Sequence, residues 1–353
     1  MPSRRAWAVP VALACAAFIS GCSHTSQFAG QSELVAVPTQ WSSTEAAPQL
    51  QTPQDLSRWW QRFGDAQMTA LIEQALQANP SVQTAQAALR QARAQLDQSQ
   101  ASQLPSAGAS LSGNRSKRES SPAGSSFSAG IDASWEPDFW GTQANAVKAS
   151  QANVAAAVAS LEGAHVSLSA EVALNYIELR SLQNRLRIAQ ENLGIQRENQ
   201  QITEWRVQAG LATSLDAEQA RSSTAQTAAQ IPALQASLAQ KRHALSILTA
   251  QVPAALDAAL NVAQPLPVAP KELAMTLPAD TLRQRPDVRA QEQKVVAAVA
   301  NLSAQERANF PSLRLSGSLG VSAATFAALA SSGGTLASSI AAGLSQTLFD
   351  GGA

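Results

Sequence analysis

Two periodicities divide the chain. Between positions 142 and 208 there is no proline, and spacing by seven runs through Val147, Val154, Leu161, Leu168, Asn175, Leu182 and Ala189. A companion series runs through Gln151, Val158, His165, Val172, Leu179, Leu186 and Leu193. A seam sustained over about seven heptads predicts one very long helix, near 100 Å at about 1.5 Å per residue. Asn175 and His165 sit on that seam. A polar residue there sets the register of a helix interface; a pH or substrate sensor is the alternative. After a break at Gly210 a second helix is predicted over 215–249. Its seam holds Ala217, Thr224, Ile231, Leu238 and Leu245, with Ala220, Thr227, Leu234, Lys241 and Leu248 as companions. Two long helices joined by a few residues lie antiparallel. Pro232 should kink the second, because its ring removes a backbone donor and crowds the preceding turn.

Four other segments alternate with period two. Ala107, Ala109 and Leu111 oppose Ser106, Ser110, Ser112 and Asn114, and Phe127, Ala129, Ile131, Ala133 and Trp135 oppose Ser128, Gly130, Asp132 and Ser134. Leu313, Leu315, Leu319 and Val321 oppose Arg314, Ser316, Ser318 and Ser322, while Ile340, Ala342, Leu344 and Leu348 oppose Ser339, Ala341, Ser345 and Thr347. Each segment predicts a strand of about 9 to 11 residues, long enough to cross a bilayer when tilted, with one apolar and one small, polar face. A soluble sandwich shares the alternation.

The chain also repeats. Pro80, Val82, Leu89, Leu96, Pro105 and Ser106 recur at one constant offset as Pro286, Val288, Val295, Leu302, Pro311 and Ser312. The repeated unit reads helix, helix, strand, strand, long helix, long helix. Its second copy reaches Phe349-Asp350-Gly351-Gly352, the counterpart of Phe139-Trp140-Gly141, so a second pair of long helices is expected to be missing and the chain to be C-terminally truncated. A membrane accepts no open sheet edge, and about eight strands is the least that closes a barrel. If the four strands are transmembrane, copies must share one barrel; a trimer supplies twelve, with a water-filled lumen behind the polar faces.

Composition narrows the chemistry. Formal net charge is zero over 353 residues, which removes any global field for a polyanion and argues against nucleic acid as a partner. Only Cys15 and Cys22 occur, and His24, His165 and His243 lie far apart, so no metal site, cofactor site, Ser-His-Asp set or phosphate loop is legible. No enzyme activity is expected. Arg4 and Arg5 precede an apolar run, 6–20, too short for a permanent span and typical of an export signal. It ends in Ile19-Ser20-Gly21-Cys22, which resembles the lipobox of bacterial lipoproteins and implies covalent lipid on Cys22 after cleavage. Several acyl chains, at about 0.8 kcal/mol per buried CH₂, make such an anchor permanent. An ordinary secretory signal that contains a cysteine is the alternative. Ser23 follows, which by the sorting rules known for lipoproteins favours the outer membrane.

The expected plan is a signal peptide over 1–21 and a lipidated tether over 22–54. A first repeat over 55–250 holds a strand pair near 105–136 and a long helix pair over 141–249. A linker over 251–278 wraps the helices at mid-height, and an incomplete second repeat over 279–353 holds a strand pair near 312–349. The loop between the first two strands carries Arg115, Lys117 and Arg118 and reads as solvated, with a basic lure for lipopolysaccharide phosphates as the other possibility.

Arg58-Trp59-Trp60-Gln61-Arg62-Phe63, Leu71-Ile72-Glu73-Gln74-Ala75-Leu76 and Asn79-Pro80 resemble the start of TolC-like outer-membrane efflux proteins of the NodT lipoprotein branch. So do Trp135-Glu136-Pro137-Asp138-Phe139-Trp140-Gly141, Arg285-Pro286-Asp287-Val288, Phe310-Pro311-Ser312-Leu313 and Leu348-Phe349-Asp350-Gly351. The resemblance implies a mixed fold of long coiled-coil helices and four transmembrane β-strands per protomer, with a shared trimeric twelve-stranded barrel continued by a periplasmic helical barrel. It implies the exit duct of a tripartite pump in a Gram-negative bacterium, exporting drugs or other small toxic molecules. Its partners would be a homotrimer's other copies, outer-membrane lipid, a periplasmic adaptor (membrane fusion protein) and an inner-membrane transporter of the resistance-nodulation-division class. A type I protein-secretion duct or a non-channel periplasmic coiled-coil lipoprotein are the alternatives.

The turn between the long helices carries the candidate contacts. Gly210 permits the positive φ that ends a helix, Thr213 or Ser214 can cap the next, and Asp216 suits its first turn. The resemblance makes this turn the periplasmic tip that meets the adaptor, and carries that role to Arg206, Gly210, Leu211, Ser214 and Asp216. Trp59, Trp60 and Phe63 are expected to be packing anchors rather than a ligand-stacking cluster.

Overall fold

The computed structural model describes residues 58–117, 123–269, 284–329, 331, 333–349 and 351. The signal, Cys22 and the tether, Arg118, most of the linker's second half, and Asp350 and Gly352 lie outside the described residues. A 3₁₀ turn, Trp59–Phe63, precedes α1 (Ala66–Ala78). Asp65 caps α1 by accepting from the Met68 amide at 2.8 Å. Met68, Leu71, Ile72 and Ala75 recur at helical spacing and form its buried face. Asn79 then ends α1 and caps α2 (Pro80–Ala101), its side chain accepting from the Ser81 amide at 2.8 Å, with Pro80 at the first helical position.

Strands β1 (Ser106–Ser116) and β2 (Gly124–Trp135) follow, and the chain then enters α3 (Thr142–Gln208), whose 67 residues make the predicted long helix. After the turn at Gly210 comes α4 (Ser214–Leu248), which continues as helix through Pro232. The linker contributes one turn, α5 (Asp257–Leu260). The second copy of the pattern gives α6 (Pro286–Ala308), β3 (Ser312–Ala323), a short α7 (Phe326–Leu329) and β4 (Thr335–Ser345). Helix, proline and strand start recur at the spacing the repeat predicts: Pro80 with Pro286, Ser106 with Ser312.

Helix α3 is the spine. Its C-terminal half pairs with α4, where Lys241 donates to Asn175 Oδ1 at 3.2 Å and also pairs with Glu178. Asn175 therefore does bridge a helix interface. Its N-terminal half is flanked by α2, through Ser99 and Ser150 at 2.8 Å, and by α6, through Arg289 and Glu162 at 2.6 Å. Here the heptad reading needs correction: Val147 of the seam is buried as expected, but Gln151 is exposed, and the buried set is Asn145, Val147, Ala149, Ala152, Ala156 and Ala159. Two helices must approach this half, so small side chains take the contact positions, and α6 answers with buried Ala290, Ala297 and Ala304 one heptad apart.

One core lies at the middle of α3. Trp60, α1, Leu168, Val172, Tyr176 and Leu179 of α3, Leu245 of α4, and Leu256 and Leu260 of the linker pack there, with Trp59 and Phe63 at its edge. The aromatics are thus anchors, meeting edge to face at 6.1 and 5.9 Å. Inside the core Arg180 is 1% exposed. It donates to the side-chain oxygens of Gln183 (2.7 Å) and Gln67 and to the Val262 carbonyl (2.8 Å), with its guanidinium 4.9 Å from the Tyr176 ring centre. Gln183 donates to the Leu260 carbonyl at 2.6 Å. The described part of the linker is held near mid-length of α3 by these bonds.

Candidate functional site

The sheet is antiparallel in the order β1-β2-β3-β4, with β1 and β4 at its edges. In an antiparallel ladder, directly paired residues share a face, so register decides whether four alternating strands agree. They do. Leu111 pairs with Ala129, Ala109 with Ile131, Ile131 with Leu319, Trp135 with Leu315, Leu319 with Ser338, Val321 with Leu336, and Leu313 with Leu344. One continuous apolar face results, and it is open: Leu111 is 67% exposed and Ile340 95%. The opposite face is mostly serine and glycine, with Asp132 and Arg314 on it and hydroxyl pairs across the ladders at Ser112–Ser128 (2.7 Å), Ser318–Ser339 (2.8 Å) and Ser312–Ser345 (3.0 Å). The strands run 11 or 12 residues, and Leu348 lies beyond the end of β4 rather than in its apolar row; Leu336, at the other end, takes a place the sequence reading missed. Among the described residues no helix is long and apolar enough to cross a membrane.

Aromatics mark both ends of this face. Phe127 meets Phe326 edge to face at 6.1 Å at the end far from the helices. At the near end Trp135 donates to the Gln103 carbonyl at 3.0 Å, and Trp140 stacks on Phe310 at 5.2 Å and donates to the Pro311 carbonyl at 2.7 Å. About eight residues of strand, near 26 Å along the chain, separate Phe127 from Trp135; at a barrel strand's tilt of about 40° this is about 20 Å of height, somewhat less than the roughly 25 Å apolar band between aromatic girdles.

The same corner turns strand into helix. Asp138 accepts from the Ala144 amide at 2.7 Å and so caps α3, and Gly141 adopts φ 81°. A Cβ there would stand 2.7 Å from Arg307 Nη1, which itself donates to the Trp140 carbonyl at 2.6 Å. Gly351, at φ 74°, repeats this conformation after β4.

The hairpin tip is built as its residues require. The Gly210 amide bonds to the Val207 carbonyl (3.0 Å) and the Leu211 amide to the Arg206 carbonyl (2.7 Å), with Gly210 at φ 72°, a Schellman ending. Thr213, rather than Ser214, caps α4: its hydroxyl accepts from the Asp216 amide, and the Asp216 carboxylate accepts from the Thr213 amide (2.9 Å) and hydroxyl (2.7 Å). The Thr213 hydroxyl, and then its amide, hold the Asp216 carboxyl below its ordinary range. Arg206, Gly210, Leu211, Ser214 and Asp216 are all exposed and gathered at this one end; Leu211, 79% exposed, projects as an apolar point.

Residues 71–251 match the family described as outer membrane efflux protein. The chain belongs to that family. Two curated relatives are nodulation protein T of Rhizobium leguminosarum bv. trifolii, 29% identical over 266 residues and 74% of this chain, and the pyoverdine export outer membrane protein OpmQ of Pseudomonas aeruginosa, 31% identical over 297 residues and 81% of this chain. The chain spans 57% and 62% of their lengths. Among solved structures, the outer-membrane channel OprN superposes with a TM-score of 0.79 at 32% identity, covering 88% of this chain and 71% of that one. Helical spine, four-stranded sheet and connecting corners are therefore the fold of outer membrane efflux channels, a family of transport proteins rather than enzymes.

Within that fold, two constellations carried no signal in the sequence. Arg180 and its acceptors come from three separated segments, α1, α3 and the linker, and Arg307 reaches Gly141 from the other repeat. Arg180 and Gln183, three apart on one helix face, were the only local hint.

Proposed function

We propose that the chain forms the exit duct of a tripartite efflux pump in the outer membrane. Three copies join their sheets edge to edge into a twelve-stranded barrel, apolar face to lipid and polar face to a water-filled lumen, and the helices continue the duct through the periplasm. Cys22 carries the lipid anchor. The tip residues Arg206, Gly210, Leu211, Ser214 and Asp216 meet a periplasmic adaptor, which links the duct to an inner-membrane transporter of the resistance-nodulation-division class. Small molecules pass, and no reaction is catalysed.

The register carries this proposal. All four strands show bare apolar side chains on one face and hydroxyls on the other, and both sheet edges are unpaired among the described residues. Such a surface is an aggregation hazard in water, whereas lipid covers the face and neighbouring copies close the edges. The name of one relative, a pyoverdine export outer membrane protein, agrees with small-molecule cargo.

Adjacent positions of β3 provide the test. With Leu315→Cys and Ser316→Cys in separate samples of isolated outer membranes, a water-soluble maleimide should label position 316 and spare 315. Equal labelling of both would mean a sheet bathed in water, as in a coiled-coil lipoprotein without a channel, and would end the duct proposal.

A further inference from the structure

The polar face of the sheet carries two ionisable side chains among the described strand residues, Asp132 on β2 and Arg314 on β3; all other positions on it are Ser, Gly, Ala, Asn or Thr. Both are exposed, and neither makes an ion pair or side-chain hydrogen bond with another described residue. Their neighbours leave them unobstructed. Asp132 lies opposite Gly108 and Ser318, and Arg314 opposite Gly343. Arg314 is four residues from Ser318, so the two charges stand about 13 Å apart along the strand, Arg314 nearer the helices. At the Arg314 level an open hollow of about 270 Å³ also admits Glu136, Gln143, Ser106 and Ser134. Glu136 and Arg314 line this hollow together with Trp135 and Leu104, without an ion pair between them, while no charged residue stands opposite Asp132 in the ladders.

Resting on the duct proposal above, we infer that Asp132 and Arg314 set the charge preference of the barrel lumen, and set it in opposite directions. Three copies place three carboxylates at the Asp132 level and a mixed ring of guanidinium and carboxylate at the junction, leaving the strand lumen net negative. A twelve-stranded barrel has a backbone radius of about 12 Å, by strand spacing and tilt. The screening length is about 10 Å at 0.1 M salt, so each ring's field reaches most of the lumen, and shrinks to about 3 Å at 1 M. Cationic cargo is therefore favoured over anionic cargo of equal size, with Asp132 the main contributor. Arg115, expected from the sequence in the loop, instead lies within β1 as the third charged residue of the described strands; it is on the apolar face at the far end, outside the lumen.

Purified full chain in a planar bilayer, under a potassium chloride gradient near 0.1 M, reads this out as the reversal potential. Asp132→Asn should lower the cation-to-anion permeability ratio at least about twofold and Arg314→Gln should raise it by a similar factor, both effects fading at 1 M salt; Arg115→Gln should leave it unchanged. Conducting Asp132→Asn and Arg314→Gln channels with the parent's selectivity would overturn this inference and leave the duct standing. A change in Arg115→Gln as large as in Arg314→Gln would reverse the two faces and overturn both, as would failure of the parent protein to conduct.

Discussion

Replacing Arg180 by methionine probes the clasp that holds the linker to the spine. The aliphatic stem is kept, while the donors to Gln67, Gln183 and the Val262 carbonyl disappear. Charge-assisted hydrogen bonds contribute about 1.5–3 kcal/mol each, and a buried acceptor left without a donor costs about 1–3 kcal/mol. Opposing this, removal of a buried cation returns a desolvation cost of several kcal/mol. Arg180 has no carboxylate in contact among the described residues, so the returned cost is substantial, yet three lost bonds, one of which leaves the buried Gln183 oxygen without its donor, outweigh it. A net loss of about 3 kcal/mol, confined to the clasp, is expected. Amide hydrogen exchange measures it: at about 1.4 kcal/mol per tenfold, the hydrogen-bonded amides of Leu260 and Asn261 should exchange about a hundredfold faster, while those of the β-strands stay unchanged. A change below threefold at Leu260 and Asn261 would show that desolvation and bonding cancel, and that the linker is held by its other contacts, Leu256 and Leu260 in the core and the bonds from Gln67 and Arg242.

Two further outcomes follow from the helix ends. Ala250 ends α4 at φ 54° with the Gln251 amide on the Ser246 carbonyl at 2.7 Å, the Schellman geometry that Gly210 adopts without a Cβ. Ala250→Gly should therefore stabilise the helical region by up to about 1 kcal/mol, the left-handed penalty less glycine's extra entropy, seen as a raised thermal midpoint; a lowered midpoint would refute it. The capping box at Thr213 should depend on pH. Asp216 is held below its ordinary range, so its contribution is fully present above the ordinary carboxylate value near 4 and is lost as pH falls through the depressed one. Exchange at the Asp216 and Ala217 amides, corrected for intrinsic rates, should accelerate in acid and do so no longer in Asp216→Asn.

Contiguous sequence determined whatever a single element can state about itself. Heptads spelled out α3 and α4, period-two alternation spelled out the strands, and Gly210, Thr213 and Asp216 spelled out their turn, because each signal lies within one or two turns of chain. The tertiary structure decided which surfaces meet. Strands β2 and β3 pair although the whole helical excursion separates them, and only their register shows that four apolar rows form one face. Alanines, not the Gln151 series, became the interface of α3 where α2 and α6 flank it, because a helix with two neighbours is closed by the smallest side chains rather than by the best heptad. Arg180 is charged and buried because acceptors from α1, α3 and the linker converge on it, a condition that no local pattern encodes. Periodicity is a property of neighbours in sequence; burial and pairing are set by which distant segments compete for the same surface.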